Sequence, residues 1–281
     1  MATSTHSLAT QRYGLPSLWH LLSLDAPTVA LLWFLLAARA AHIALHITDA
    51  AALALGTWML YAIDRMLDAH FGALHLQEER HRFHGANQGV FLVTLACAVP
   101  ALLTLLAHME PRLLHAYLLL GTALAGYFMA IHTRVLAQYI PKELAVGVIF
   151  AAAIFMPELL TGFMPEFMAG TARAVLPQAL CFGALCWLNC TLIYQREHAN
   201  PRDAHWSTRF AIRNTSFLLA VLATAGLILF ITGSAQLPGA AIAMSAAALL
   251  ALHRLRSRMG KLPFRIAADA ALLSPILLFL R

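Results

Sequence analysis

The chain has 281 residues, 60% hydrophobic and 11% charged, with a mean hydropathy of +0.72. A water-soluble domain carries about 25% charged residues, so the composition excludes a soluble globular enzyme and points to a polytopic membrane protein. The formal charge of +6 does not call for a nucleic acid, because biased loops give a membrane protein the same sign.

Residues 1–12 are polar, with Arg12 as their only basic residue, and read as no cleavable signal. "LPSLWHLLSLDAP" follows and reads as a short interfacial amphipathic helix. Residues 1–26 are therefore expected to form a cytoplasmic N-terminal segment, and 27–281 a transmembrane domain. A spanning helix needs about 20 mostly apolar residues. Nine segments qualify: roughly 27–47, 50–68, 88–108, 112–131, 143–163, 175–195, 214–233, 237–256 and 264–280. The expected fold is an all-α polytopic bundle of nine transmembrane helices.

Charge sets the orientation. With the N-terminus in the cytoplasm, fifteen basic residues fall on the inner side and only Arg112, Arg173 and Arg281 outside, while Arg39 lies within the first span. That bias follows the positive-inside rule and puts the C-terminus outside. The inner loops 69–87, 132–142 and 196–213 are the longer ones and are rich in Arg, Lys and His. Function is expected on that face. The cysteines Cys97, Cys181, Cys186 and Cys190 all lie in apolar segments and read as small core residues.

The second span ends in "YAIDRMLDAH". Asp64 and Asp68 stand four residues apart, so a helix puts both on one face, their Cβ atoms about 5–6 Å apart. Two like charges at a membrane boundary need cations. A Mg²⁺ ion shared with substrate phosphates is one solution; neutralisation by Arg65 and nearby basic residues is the other. The sixth span ends in "LNCTLIYQREHANPRD". "LYAID" and "IYQRE" each place a tyrosine (Tyr61, Tyr194) three residues before an acid (Asp64, Glu197), four spans apart, as a duplicated unit would. Facing each other, these ends would gather Asp64, Asp68 and Glu197, with Asn189 one or two turns below. After the fourth span, "YFMAIHTRVLAQYIPKELAVG" carries Tyr127, His132, Arg134 and Lys142. These suit a diphosphate clamp, or serve as ordinary topology residues.

These three features, in this order on nine spans, resemble the UbiA superfamily of intramembrane prenyltransferases. The resemblance implies a UbiA-like fold, Mg²⁺ as cofactor, and transfer of a polyprenyl group from a prenyl diphosphate to a lipid-phase acceptor of aromatic or quinone type. The expected setting is a bacterial inner membrane, and the expected partners are those substrates and membrane lipids, with no nucleic acid. A terpene cyclase or a non-catalytic isoprenoid-binding protein is the alternative. By this resemblance Asp64, Asp68 and Glu197 are the catalytic, metal-holding acids. Tyr61, Arg65, Arg80, Arg82, Tyr127, His132, Arg134, Lys142, Asn189 and Tyr194 are the substrate-binding set. The match is partial: Leu60 and Tyr61 stand where the family's first motif has Asn-Asp, and Tyr194 and Glu197 where its second has D-x-x-D. "ERHRFHGANQG" replaces the usual basic stretch before the third span, with Arg80 and Arg82 in its phosphate-binding role.

Three further readings complete the chain. Arg39, His42 and His46 are spaced to share one face of the first span, His70, His75, His81 and His84 match no structural zinc pattern, and Asp269 is expected to pair with Arg265 one turn before it.

Overall fold

A computed structural model of the chain describes residues 14–71, 79–132, 139–162, 171–198, 204–233 and 236–280. Every regular element among them is helical. In chain order these are α1 (Leu15–Leu21), α2 (Asp25–Ala40), α3 (Ile47–Phe71), α4 (Glu79–Ala86), α5 (Gln88–Ala107), α6 (Pro111–His132), α7 (Lys142–Ile154), α8 (Met156–Gly162), α9 (Thr171–Glu197), α10 (Trp206–Ile231), α11 (Gln236–Leu255), α12 (Lys261–Ala271) and α13 (Pro275–Phe279).

Among the described residues, six stretches are long and apolar enough to cross a bilayer: Gln88–Ala107, Pro111–Ile131, Val175–Glu197, Trp206–Ile231, Gln236–Arg258 and Lys261–Phe279. Leu15–Leu21 and Asp25–Ala40, bent by 90°, make a seventh if taken together. This is fewer than the nine expected, and each difference has a local cause. α2 stops at Ala40, because His42 takes a left-handed φ of 56°. His42 and His46 therefore lie off the helix that carries Arg39, whose guanidinium sits 5.9 Å above the Phe279 ring. α3 is 25 residues long, but Asp49, Asp64, Arg65 and Asp68 dilute its hydropathy.

The expected span 143–163 is broken at Phe155 into α7 and α8. Pro157, in the first turn of α8, has no N–H to give the carbonyl four residues back. That carbonyl belongs to Ala153, and it accepts a hydrogen bond from the Tyr117 hydroxyl of α6 at 2.9 Å. A side chain from a neighbouring helix thus replaces the missing backbone donor, as membrane interiors require. Tyr117→Phe should destabilise the protein by about 1–3 kcal/mol, the cost of an unsatisfied buried carbonyl. Unfolding in detergent would show it, and an unchanged midpoint would mean that water or backbone shift replaces the hydroxyl.

The core is built on α9. Phe182 meets Trp33 of α2 at 4.5 Å between ring centroids, and Phe150 and Phe155 of the α7–α8 region at 6.0 and 5.9 Å. Trp33, Phe34, Phe155, Phe182 and Phe264 are fully enclosed. The Trp33 indole N–H donates to the carbonyl of Leu272 at 2.8 Å, tying α2 to the end of α12. α10 and α11 approach closest where Gly226 faces Gly239 and Ala243, the small-residue contact through which helices pack in lipid.

Candidate functional site

Two polar constellations share one end of the bundle, where α2, α7 and α12 begin and α3, α6 and α9 finish. The first is an open crevice of about 210 Å³ between α7, α9 and α12. Lys142, Glu143, Tyr194, Glu197, His198 and Arg265 form its polar lining, and Val146, Cys190 and Ile193 its apolar part. Its polar groups are already ordered. The Glu197 carboxylate accepts a hydrogen bond from Arg265 Nη1, and the Glu197 carbonyl accepts one from Lys261 Nζ at 3.0 Å. Glu143 Oε2 accepts from the Thr208 hydroxyl at 2.6 Å. The Tyr194 and His198 rings stack at 4.0 Å, one turn apart on α9.

Two further helices reach this region. The half-buried Tyr127 of α6 lies within electrostatic range of Asp64, Glu143 and Cys190. Tyr61 of α3 lies within range of Cys190, Asp25, Asp269 and Cys186. α3 itself packs on α2, α4 and α5, whereas α9 packs on α7, α8, α10, α11 and α12. The two acid-bearing helix ends therefore share no broad face, and tyrosines from α3 and α6 lie within electrostatic range of α9.

The second constellation is buried. α1 and α2 meet at 90° through Ser23, which takes a left-handed φ of 60°, a conformation that costs a non-glycine residue energy. The bend lets three groups converge on Arg65, which is only 3% exposed. Arg65 Nη1 donates to the His20 carbonyl at 2.6 Å and to the Ser23 hydroxyl at 3.0 Å; Nη2 donates to Asp25 Oδ2 at 3.0 Å. Asp25 Oδ2 also meets His20 Nδ1 at 2.8 Å, and Asp25 Oδ1 accepts from the Ala26 amide at 3.0 Å. The same nitrogen faces Asp269 of α12, whose Oδ2 lies 3.7 Å from Nδ1. Asp269 Oδ1 accepts from Asn189 Nδ2 at 3.1 Å.

The sequence-expected residues thus separate. Lys142, Tyr194 and Glu197 line the crevice, and Asp64, Tyr61 and Tyr127 lie on helices beside it. Asp68 follows Asp64 by one turn of α3; its side chain, and those of His132 and of Arg80 and Arg82 on α4, lie outside the described residues, as does Arg134 altogether. Arg65 and Asn189 belong to the buried network. Asp269 does not take Arg265 as its partner. An acid one turn after a base is the weaker order on a helix, and Arg265 reaches Glu197 on α9 instead.

Sequence reasoning passed over His20, Asp25, Glu143 and His198. Asp25 had a signal, an acid just before the first apolar run. His20 had none, because nothing local says that α1 folds back onto α12.

No protein-family model, no curated protein and no solved structure matches this chain.

Proposed function

We propose that this chain is an integral membrane prenyltransferase of the UbiA kind, with nine crossings formed by α2, α3, α5, α6, α7–α8, α9, α10, α11 and α12–α13. In this reading it sits in a bacterial inner membrane, N-terminus in the cytoplasm and C-terminus outside, and moves a polyprenyl group from a prenyl diphosphate to a lipid-phase aromatic or quinone-type acceptor. The observation that carries the reading is the crevice. Acidic and basic side chains from α7, α9 and α12 meet at its rim, beside Asp64 and Tyr127, and apolar residues of α7 and α9 line the rest of its wall. A ligand with an anionic head and a hydrocarbon chain fits that gradient.

The donors near the rim are carboxylate oxygens, which suits Mg²⁺. Asp64, Asp68 and Glu197 would hold it. When bound, Mg²⁺ neutralises the charge that grows on a departing diphosphate. Lys142, Arg134 and Arg265 would give charge-assisted hydrogen bonds to the same oxygens. Tyr61 and Tyr127, on helices beside the crevice, would stand near an allylic cation formed there.

One observation favours the non-catalytic reading as a second choice. Glu197 already has Arg265 as its ion-pair partner, so a metal must share or displace that contact. Turnover separates the two: the purified protein, given prenyl diphosphate, Mg²⁺ and aromatic or quinone-type acceptors, yields a prenylated product if it is a transferase. Cyclised hydrocarbon in place of adduct would identify a cyclase, and tight binding without product an isoprenoid-binding protein. Asp64→Asn and Asp68→Asn should each weaken Mg²⁺-dependent binding by tenfold or more, about 1.4 kcal/mol, since each keeps side-chain size and removes the charge. Binding unchanged in both would make the pair a solvated helix end.

A further inference from the structure

The buried cluster of His20, Asp25 and Asp269 takes no part in the proposed transfer. Its three ligating atoms lie within 4.8 Å of one another. Two ligands about 2.1 Å from one ion stand roughly 3 Å apart at a right angle and roughly 4.2 Å apart when opposite. The distances of 2.8 Å from His20 Nδ1 to Asp25 Oδ2 and 3.7 Å to Asp269 Oδ2 lie close to that window.

Charge points the same way. Two carboxylates face one guanidinium, and of the two Arg65 is ion-paired with Asp25. The other nearby cation, Arg265, is held by Glu197. Asp269 Oδ2 has its nearest base at 3.7 Å, beyond a hydrogen bond. Asp269 is partly buried, its side chain 16% exposed, and holding a carboxylate there with its cations at a distance is costly. The independent sign of a ligand is Asn189. It is 6% exposed, its Nδ2 rests on Asp269, and its Oδ1 has no hydrogen-bond partner.

We propose that His20, Asp25, Asp269 and the amide oxygen of Asn189 bind one divalent transition-metal ion, tying α1 to α2, α9 and α12. One imidazole nitrogen with three oxygens suits Mn²⁺, Fe²⁺ or Zn²⁺, whereas Mg²⁺ prefers oxygens alone. Arg65, donating to Asp25 from outside the ligand set, orients that carboxylate. The imidazole ligates through Nδ1 and carries its proton on Nε2. This site is separate from the Mg²⁺ proposed at Asp64, Asp68 and Glu197 and does not depend on it.

The test uses the full-length protein in detergent, stripped with chelator and then offered Mn²⁺, Zn²⁺, Fe²⁺ or Mg²⁺ singly. The expected result is one transition-metal ion retained per chain, with a rise in unfolding temperature that Mg²⁺ does not give. Asp269→Asn keeps the volume and an oxygen for Asn189, and should weaken retention by more than the roughly 10–100-fold typical of an outer-sphere partner. His20→Gln should do the same. Should either variant fail to fold, Co²⁺ added to the stripped wild-type protein still decides, through the visible absorption of a nitrogen- and oxygen-ligated ion. Metal retained equally by Asp269→Asn would place the ion elsewhere, for example on the histidines of 69–87, and overturn the proposal. Absence of any retained ion, thermal shift or Co²⁺ band would overturn it too, leaving a hydrogen-bonded network that holds a proton.

Discussion

Arg65→Met lowers the stability of this protein by about 3–5 kcal/mol, the cost of removing one partner from a buried ion pair. The methionine fills the volume but donates nothing. Asp25 then keeps a buried charge, and the His20 carbonyl and Ser23 hydroxyl each lose a donor. Most of the loss comes from the stranded carboxylate, so it should be recovered in part by Asp25→Asn in the same chain. A double-mutant cycle followed by unfolding in detergent measures this coupling. Additive effects would show that Arg65 and Asp25 do not act as a pair. The consequence extends beyond stability: this network helps hold α1 to the bundle, beside Trp19, whose indole N–H donates to Thr28 Oγ1 at 3.1 Å, and Trp58, whose indole N–H donates to the Leu22 carbonyl at 3.1 Å.

A second large effect is expected at Gly226→Leu. A Cβ built at Gly226 stands 2.6 Å from the Ala243 backbone nitrogen and 2.8 Å from the Gly239 carbonyl oxygen. Both are backbone atoms, so no side-chain rotation relieves the clash. α10 and α11 must move apart along the most extensive helix contact in the bundle. Overpacking of a close-packed site costs about 1–3 kcal/mol and occasionally more; a leucine against backbone belongs at the upper end. Gly226→Ala should cost less but still measurably. A leucine variant as stable as wild type in thermal unfolding would show that the two helices do not touch there.

How much of this was legible beforehand depended on whether a feature is carried by composition or by a distant partner. The expected segments 88–108, 112–131 and 237–256 lie within a residue or two of α5, α6 and α11, because long apolar runs announce themselves. The break at Phe155 was hidden in an equally apolar run; Pro157 was its one local mark, and the compensating hydroxyl comes from Tyr117, forty residues earlier. The early stop of α2 was also hidden, since the histidine spacing of 39, 42 and 46 imitates a helix face.

At the candidate site, periodicity put Asp64 and Asp68 on one face of α3 and found the Tyr-x-x-acid end of α9. It could not tell where Arg65 points. Arg65 adjoins Asp64 in sequence and was expected to serve the same phosphates, yet its guanidinium turns to Asp25, forty residues before it. Arg265 and Asp269 show the same limit: one turn apart, they choose partners on different helices. Local spacing tells which residues can meet within a helix, and tertiary packing decides which do.

The proposed function stands or falls on whether the crevice takes a diphosphate through a metal. The direct measurement is calorimetric titration of the purified protein with a non-hydrolysable prenyl thiodiphosphate, with Mg²⁺ and after chelation. Saturable binding that needs Mg²⁺ and weakens in Asp64→Asn is the predicted result. Absence of binding, or binding of the same strength with and without Mg²⁺, would contradict it.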